Sequence, residues 1–360
     1  MEPEKRCTMY DLARILGVSV GTIHRALHNT GRIRPETKAR ILETARQMNY
    51  QINPNAQALR SRALRIGILL CCPVRLFGDE IGRGIVSAVG DLSEFNLSSD
   101  LRVVYHNAQD RPEIVHSALR DFSSGEYSAA VLFFSGTSDL FRDDLKRLDA
   151  SGIPVVSIVN DITLTHRVLH VAADGYAAGR MAADMLDLCC PGGRVAVLTG
   201  SDTTFIHHQN LKGFRDQSAP DRFSGIEVFE HYDDPKAARA MLSEILHAQD
   251  PFDGLYVTSS GVAESLSLLD SFDPERLPHI VTTDLYDTTR NLLSRRLIRA
   301  TIFQDPFRQG KKAVAELYRY LHGERAPGEI RLTPQIILPS NASAFQATAE
   351  DELRSDTGAR

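Results

Sequence analysis

The chain has 360 residues, 42% of them apolar and 24% charged, with a net charge of −5 at pH 7. This length supports two or three domains with cores of their own, and 24 Gly with 16 Pro exclude a fibrous or largely disordered chain. No apolar run approaches the roughly 18–20 residues of a membrane helix, and the charged N-terminus lacks the apolar stretch of an export signal; a cytoplasmic chain with no membrane contact is expected. The five Cys are Cys7 and the adjacent pairs Cys71-Cys72 and Cys189-Cys190. Without a C-x-x-C spacing they read as reduced, small core residues, and neither a metal nor a cofactor is expected.

Charge is unevenly spread. Residues 1–65 hold twelve Lys and Arg against five acids, a net +7, which leaves −12 on the rest. A basic head on an acidic body is the asymmetry of a chain in which one part meets phosphate and the other does not. A merely solvated basic face would show the same balance, so the spacing of apolar residues has to decide.

Thr8 can cap a helix over 9–16, with Leu12, Ala13 and Leu16 on one side, and Gly17 then breaks it. Ser19 can cap a second helix over 20–27, with Ile23, Ala26 and Leu27 inward. Two short helices joined by a tight turn form a helix-turn-helix. Gly17 supplies the positive φ of that turn. Ala13 leaves room for the crossing helix, and Leu12, Leu16, Val18, Ile23 and Ala26 form the wedge that sets the angle. A third helix runs from Pro35 to about Asn49, with Ala39, Ile41, Leu42, Ala45 and Met48 as its buried side. Beyond it, Asn53 can cap and Pro54 suits a first turn, but a helix of about two turns is unstable alone. The segment is either a linker or one that orders on contact with a partner.

From Arg65 onward, strand-like and helix-like runs alternate. Strands are expected at 65–70, 101–106, 129–134, 154–159, 194–199, 226–231, 254–258, 279–283 and 300–303, and near 331–338. Helices are expected at 82–95, 112–122, 139–150, 176–188, 206–217, 235–248, 262–271, 288–293 and 307–321. This order predicts an α/β body of parallel sheets with helices on both faces, in two lobes parted near 189–193. A cleft at the carboxyl ends of the strands is the expected ligand site. The polar residues at those ends are Asn160, Asp161, Asp174, Ser201, Asp202, Ser259, Ser260, Asp284, Gln304 and Asp305. Carboxylates and amides there suit a hydroxyl-rich ligand, but most of them precede a helix and serve equally well as N-caps.

Tyr10-Asp11-Leu12-Ala13, Gly17-Val18-Ser19, Thr22-Ile23, Arg25-Ala26-Leu27, Pro35-Glu36-Thr37 and Asn49-Tyr50 resemble the headpiece of the LacI/GalR family of bacterial transcription regulators. Asn53, Ala56 and Leu59 resemble that family's hinge helix. The resemblance implies a sequence-specific regulator, most simply a repressor, that binds near-palindromic double-stranded operator DNA as a homodimer. By it, Val20, Gly21 and Arg25 sit where the family reads bases. Arg25 can grip guanine with two N–H groups, Val20 can touch a thymine methyl, Gly21 offers no side chain, and His24 adds to the readout. Ser19, Thr22 and Asn29 are expected at phosphates, Leu59 resembles the family's minor-groove wedge, and Thr8, Asn53 and Ala56 are further expected DNA contacts.

The body resembles the periplasmic sugar-binding-protein fold (type I) that the family carries as its sensor, which implies a small carbohydrate effector in the cleft. His170-Val171-Ala172-Ala173-Asp174, Thr282-Thr283-Asp284 and Thr301-Ile302-Phe303-Gln304-Asp305-Pro306 point to Asp174, Asp284 and Gln304. In Asn210-Leu211-Lys212-Gly213-Phe214 an Asn stands where the family usually has a ligand-binding Arg, and Ser259 stands where Asn is common, which disfavours an anionic ligand. His208 is a further expected contact, with Arg75 and Phe77, in the loop after the first strand, as hydroxyl clamp and stacking ring. The resemblance places the dimer surface at 79–90 and 105–114.

The expected organisation is therefore multi-domain. An all-α three-helix helix-turn-helix headpiece spans 1–52 and a short hinge helix 53–64. An effector-binding α/β body spans 65–345, with one lobe at about 65–188 and 305–323, the other at about 191–303 and 326–345, and a polar tail at 346–360. A plain solute-binding protein is the competing reading, but it leaves the basic head without purpose. An enzyme is the third, and no G-x-G-x-x-G after a strand, G-x-S-x-G or H-E-x-x-H supports it.

Overall fold

The computed structural model describes residues 9–27, 33–48, 63–202, 204–218 and 221–345. Thr8, Asn29, Asn53, Ala56, Leu59, the hinge segment and the tail beyond Phe345 lie outside the described residues.

In the head, α1 (Met9–Leu16) and α2 (Val20–Leu27) stand where the apolar spacing puts them. Gly17 joins them at φ +66°. Ser19 caps α2, its Oγ accepting from the Thr22 N–H at 3.1 Å. Leu12, Ala13, Ile23, Ala26, Ile41 and Ala45 form the core, with Leu16, Val18 and Leu27 packed on it. The third helix, α3 (Pro35–Gln47), buries less than expected. Ile41 and Ala45 face the core, whereas Ala39 is exposed and Met48 is 42% exposed. The two eight-residue helices opposite α3 cover only its middle turns.

The body contains two six-stranded sheets. The first is built from β1 (Leu64–Cys71), β2 (Leu97–Val104), β3 (Ala129–Phe134), β4 (Val155–Ile158), β5 (Leu169–Ala173) and β11 (Gly328–Leu332), in the order β11-β5-β4-β3-β1-β2. The second has β6 (Gly192–Thr199), β7 (Phe223–Glu230), β8 (Gly254–Val257), β9 (His279–Thr283), β10 (Ala300–Phe303) and β12 (Gln335–Ile337), in the order β12-β10-β9-β8-β6-β7. Every pairing is parallel except β10 with β12. Central strands such as β3 are buried throughout, as a parallel sheet covered on both faces requires. Strand order reverses beside β1 and again beside β6, so each lobe has a crevice at its strand ends.

The helices of the body are α4 (Arg75–Asp91), α5 (Pro112–Phe122), α6 (Arg142–Ala150), α7 (Gly175–Cys189), α8 (Phe205–Ser218), α9 (Pro235–Leu246), α10 (Asp287–Ser294) and α11 (Pro306–Leu321). Helix α4 starts seven residues before its expected position, because Gly78, Gly82 and Gly84 depress helix propensity and packing overrides it. Residues 262–271 are not an α-helix but 3-10 turns (Ser260–Val262, Ser265–Ser271). Their serines bond the backbone instead: Ser259 Oγ accepts from Gly261 N–H and Ser267 Oγ donates to Glu264 O.

Lobe membership also differs from expectation. Strand β5 was not expected and completes the first sheet, as does β11, which pairs with β5 rather than joining the second lobe. Helix α7 packs through Ala178, Ala182, Ala183 and Leu186 onto Val195, Val197 and Tyr256 of the second lobe. Helix α11 returns to the first, where Ala313, Val314 and Leu317 join its core. The chain thus crosses between lobes at 173–175, 303–306 and 332–335.

Candidate ligand cleft and nucleic-acid interface

Two connected chambers lie between the lobes. The inner one, about 50 Å³, is lined by Cys72, Phe77, Phe133, Ser135 and Asn160 from the first lobe. Thr204, His207, Asp233, Ser259 and Gln304 face them from the second lobe or its crossover. The outer chamber, about 520 Å³, is bounded by Gln109, Thr137, Asp139, Asp161, Ser201, Phe205 and Tyr232. Asn160, Thr204 and Asp233 border both. Among the described residues, neither chamber is lined by Lys or Arg.

Of the residues expected at the cleft, Phe77, Asn160, Ser259, Ser260 and Gln304 line the inner chamber, and Asp161 and Ser201 the outer one. Phe77 is buried, edge-on to Phe133 with ring centroids 6.3 Å apart. Asp284 lies immediately behind Gln304, fully buried at the end of β9. One carboxylate oxygen accepts from the Gln304 backbone N–H at 3.1 Å and the other from its Nε2 at 3.0 Å. Burial pushes the Asp284 carboxyl up to about 7, against the pull of the Gln304 hydrogen bonds.

The others stand elsewhere. Neither Arg75 nor Phe77 is in a loop, since Arg75 opens α4 and Phe77 stands in its first turn; the Arg75 side chain is exposed, with the guanidinium 4.3 Å from the centroid of the Tyr105 ring. Asp174 is the N-cap of α7, accepting from the Ala177 N–H at 2.9 Å. His208 is half-exposed beside Asp202, 3.1 Å away. Asn210 turns into the second lobe's core, donating to Ile206 O at 2.9 Å and accepting from Tyr256 Oη at 3.1 Å.

His207 lines the chamber in place of His208. Its Nε2 lies 3.4 Å from Asp233, and its Nδ1 is buried without a partner. The sequence carries a signal for this: His207, Leu211 and Phe214 follow the helical inward stripe, whereas His208, Lys212 and Arg215 follow the outward one. Asp233 is brought in by consecutive left-handed residues, Tyr232 at φ +53° and Asp233 at φ +59°, which no sequence pattern announced. Burial works against ionisation of Asp233, but His207 and His231 together hold its carboxyl below the usual range. His231 is 1% exposed, and burial pushes its imidazole down to about 4.

In the head, Ser19, Gly21 and Arg25 are exposed on α2. Thr22 is half-buried and links the other two polar residues: its Oγ1 lies 2.9 Å from Ser19 Oγ and accepts from Arg25 Nη2 at 3.3 Å. Val20 is half-buried and packs on the head core, so less of it is presented outward than expected. His24 lies in α2 with its side chain outside the described part. The outward face of α2 is therefore a short polar and cationic strip beginning at its capped N-terminus, the form in which such helices enter a major groove.

The fold and cleft define a two-lobed α/β binding protein with a small helix-turn-helix domain ahead of it. Residues 84–325 match the periplasmic binding protein domain and residues 8–53 match the bacterial regulatory proteins of the lacI family. The chain belongs to the periplasmic binding protein domain family and carries a lacI-type DNA-binding domain at its N-terminal end.

Catabolite control protein A of Priestia megaterium is 24% identical over 229 residues, 62% of this chain and 64% of that protein. The HTH-type transcriptional regulator CelR of Thermobifida fusca is 25% identical over 295 residues, 80% of this chain and 84% of its own. The body has the fold of a glucose-galactose binding protein from Geobacillus stearothermophilus (TM-score 0.66, 22% identity, 78% of this chain and 99% of that one). It also has that of a solute-binding protein from Burkholderia graminis solved with D-arabinose (TM-score 0.69, 19% identity, 79% and 99%). No helix among the described residues is long and apolar enough to cross a membrane.

Proposed function

We propose that the protein is a cytoplasmic, non-enzymatic transcription regulator that represses from a near-palindromic operator and whose DNA affinity is set by a small carbohydrate in the inter-lobe cleft. The observation that carries this reading is the coexistence in one chain of an exposed cationic recognition helix and a two-lobed cleft of sugar-binding fold. Relatives named as transcriptional regulators and as a ribose operon repressor support it.

The cleft chemistry supports an uncharged polyol. Hydroxyl and amide groups line the chambers beside Phe77 and Phe133, and among the described residues the lining supplies no Lys or Arg for a carboxylate or phosphate. Homodimerisation is supported by an apolar shelf on α4 and β2, where Val86 is 57% exposed beside Leu101, Val103 and Phe307. Such a shelf, which overlaps the expected dimer surface along 79–90 and extends beyond it to Leu101, Val103 and Phe307, suits a second copy of the chain, and two heads then require two half-sites.

Selection of bound fragments from a sheared genomic library tests the reading, with a reporter behind the enriched fragment to separate repression from activation. The intact protein should enrich one family of inverted repeats. Replacing Arg25 with Ala should cost about 1–3 kcal/mol at the matching base and relax discrimination there. Retention of random and genomic fragments alike would remove the regulator reading.

A further inference from the structure

Strand β4 ends in an unusual turn. The Asn160 N–H donates to Ile158 O at 2.8 Å, a γ-turn centred on Val159, and Val159 sits at φ +66°. A β-branched residue avoids this region, so the surrounding structure has to impose it. It does so from both sides. The Val159 N–H is tied to Val171 O at 2.9 Å. Asp161 is gripped by the Arg167 guanidinium, whose Nη1 donates to Gly328 O at 2.9 Å, and by Ser157 Oγ at 3.2 Å.

The turn carries Asn160 across the cleft. Its Nδ2 donates to Phe134 O of the first lobe at 3.0 Å, while its Oδ1 accepts from the Ile206 N–H of the second at 3.4 Å. Ile206 is the second residue of α8, and its N–H is one of the four that a helix leaves unpaired at its start. The Ile206 side chain is itself packed in the first lobe's core with Phe77, Ile158 and Val159. A polar clasp and an apolar plug thus meet at one residue.

We propose that Asn160 is a positioning residue that caps α8 from the opposite lobe and clasps the two lobes together at the inner chamber. The strained turn at Val159 aims the amide. The inner chamber, at about 50 Å³, is far below the roughly 300–1,000 Å³ of sites that accept small molecules, so entry into it requires the clasp to part. Only this last consequence rests on the cleft being a ligand site. The clasp itself is tested without ligand or DNA, so its failure would leave the regulator reading intact.

The test is amide hydrogen exchange on the full chain without ligand, comparing wild type with Asn160→Ala and Asn160→Asp. The first turn of α8 should exchange about tenfold faster in the alanine variant, while amides of β3 and β8 keep their wild-type rates. Asn160→Asp keeps the acceptor oxygen for the Ile206 N–H but gives up the bond to Phe134 O, so it should recover part of the protection, which a role in lobe packing alone would not give. Small-angle scattering should show the alanine variant more extended. If Asn160→Ala does not fold, Asn160→Ser takes its place in the same comparison. Wild-type protection of α8 in the folded alanine or serine variant, or no recovery with aspartate, would overturn the proposal.

Discussion

Two buried groups near the cleft, Asp284 and His231, pull the pH dependence of stability in opposite directions. The folded protein raises Asp284 to about 7, so it holds a proton that the unfolded chain has already released. That contribution is complete below the usual carboxylate value and is lost as pH rises through about 7. His231 is depressed to about 4, so the unfolded chain takes up its proton first, and stability is lost as pH falls from the usual histidine value toward 4. Between pH 4 and 7 the two slopes oppose each other. Urea unfolding across this range should therefore rise more steeply with pH in Asp284→Asn and fall with pH in His231→Phe. His231 also has both ring nitrogens buried without partners, and phenylalanine relieves that; the variant should gain about 1–2 kcal/mol at pH 7. A loss there would mean that a partner satisfies the ring.

At the scale of elements, helix crossings govern the body. Helices α7 and α8 approach so closely that a Cβ on Gly179 would lie 2.0 Å from Asn210 O, and one on Gly213 2.0 Å from Tyr176 O. Both obstacles are backbone, so the helices have to move apart. Gly179→Ala should destabilise the protein by about 1–3 kcal/mol, read from thermal or urea unfolding, even though alanine favours a helix. The same crossing explains Asn210: the face of α8 that carries it is pressed against α7, so its amide enters the core and not the cleft. A resemblance that puts this position in a ligand site is overridden here by what packs beside it. The head shows the opposite case, since α1, α2 and the Gly17 turn were fully legible from local spacing. Their contacts are short in sequence, and period and turn chemistry act within a few residues.

The whole molecule couples two lobes through three crossovers and presents an apolar shelf on one of them. Covering that shelf with a second copy predicts that Val86→Lys, which puts a charge at its centre, shifts the protein from dimer to monomer in sedimentation. Operator binding should then weaken, and more so at low protein concentration, while the variant's far-ultraviolet circular dichroism stays that of the folded chain and its unfolding midpoint loses the concentration dependence of a dimer. A dimer that persists would place the interface elsewhere on the body.

The amino-acid sequence alone determined the basic three-helix head, the alternation of strand and helix, the two-lobed plan and much of the cleft's lining: Phe77 and the strand-end residues Asn160, Asp161, Ser201, Ser259, Ser260 and Gln304. All of these follow from periodicity, charge and residue type, which are local, or from motifs that carry their own context. Tertiary structure alone decided the assignment of α7, β5 and β11 to their sheets, the turning of His207 inward and Arg75 outward, the retreat of Asp284 behind Gln304 and the reach of Asn160 across the cleft. Each depends on which distant backbone lies opposite, and strand pairing, close helix crossings and left-handed turns are settled only when the two lobes are packed.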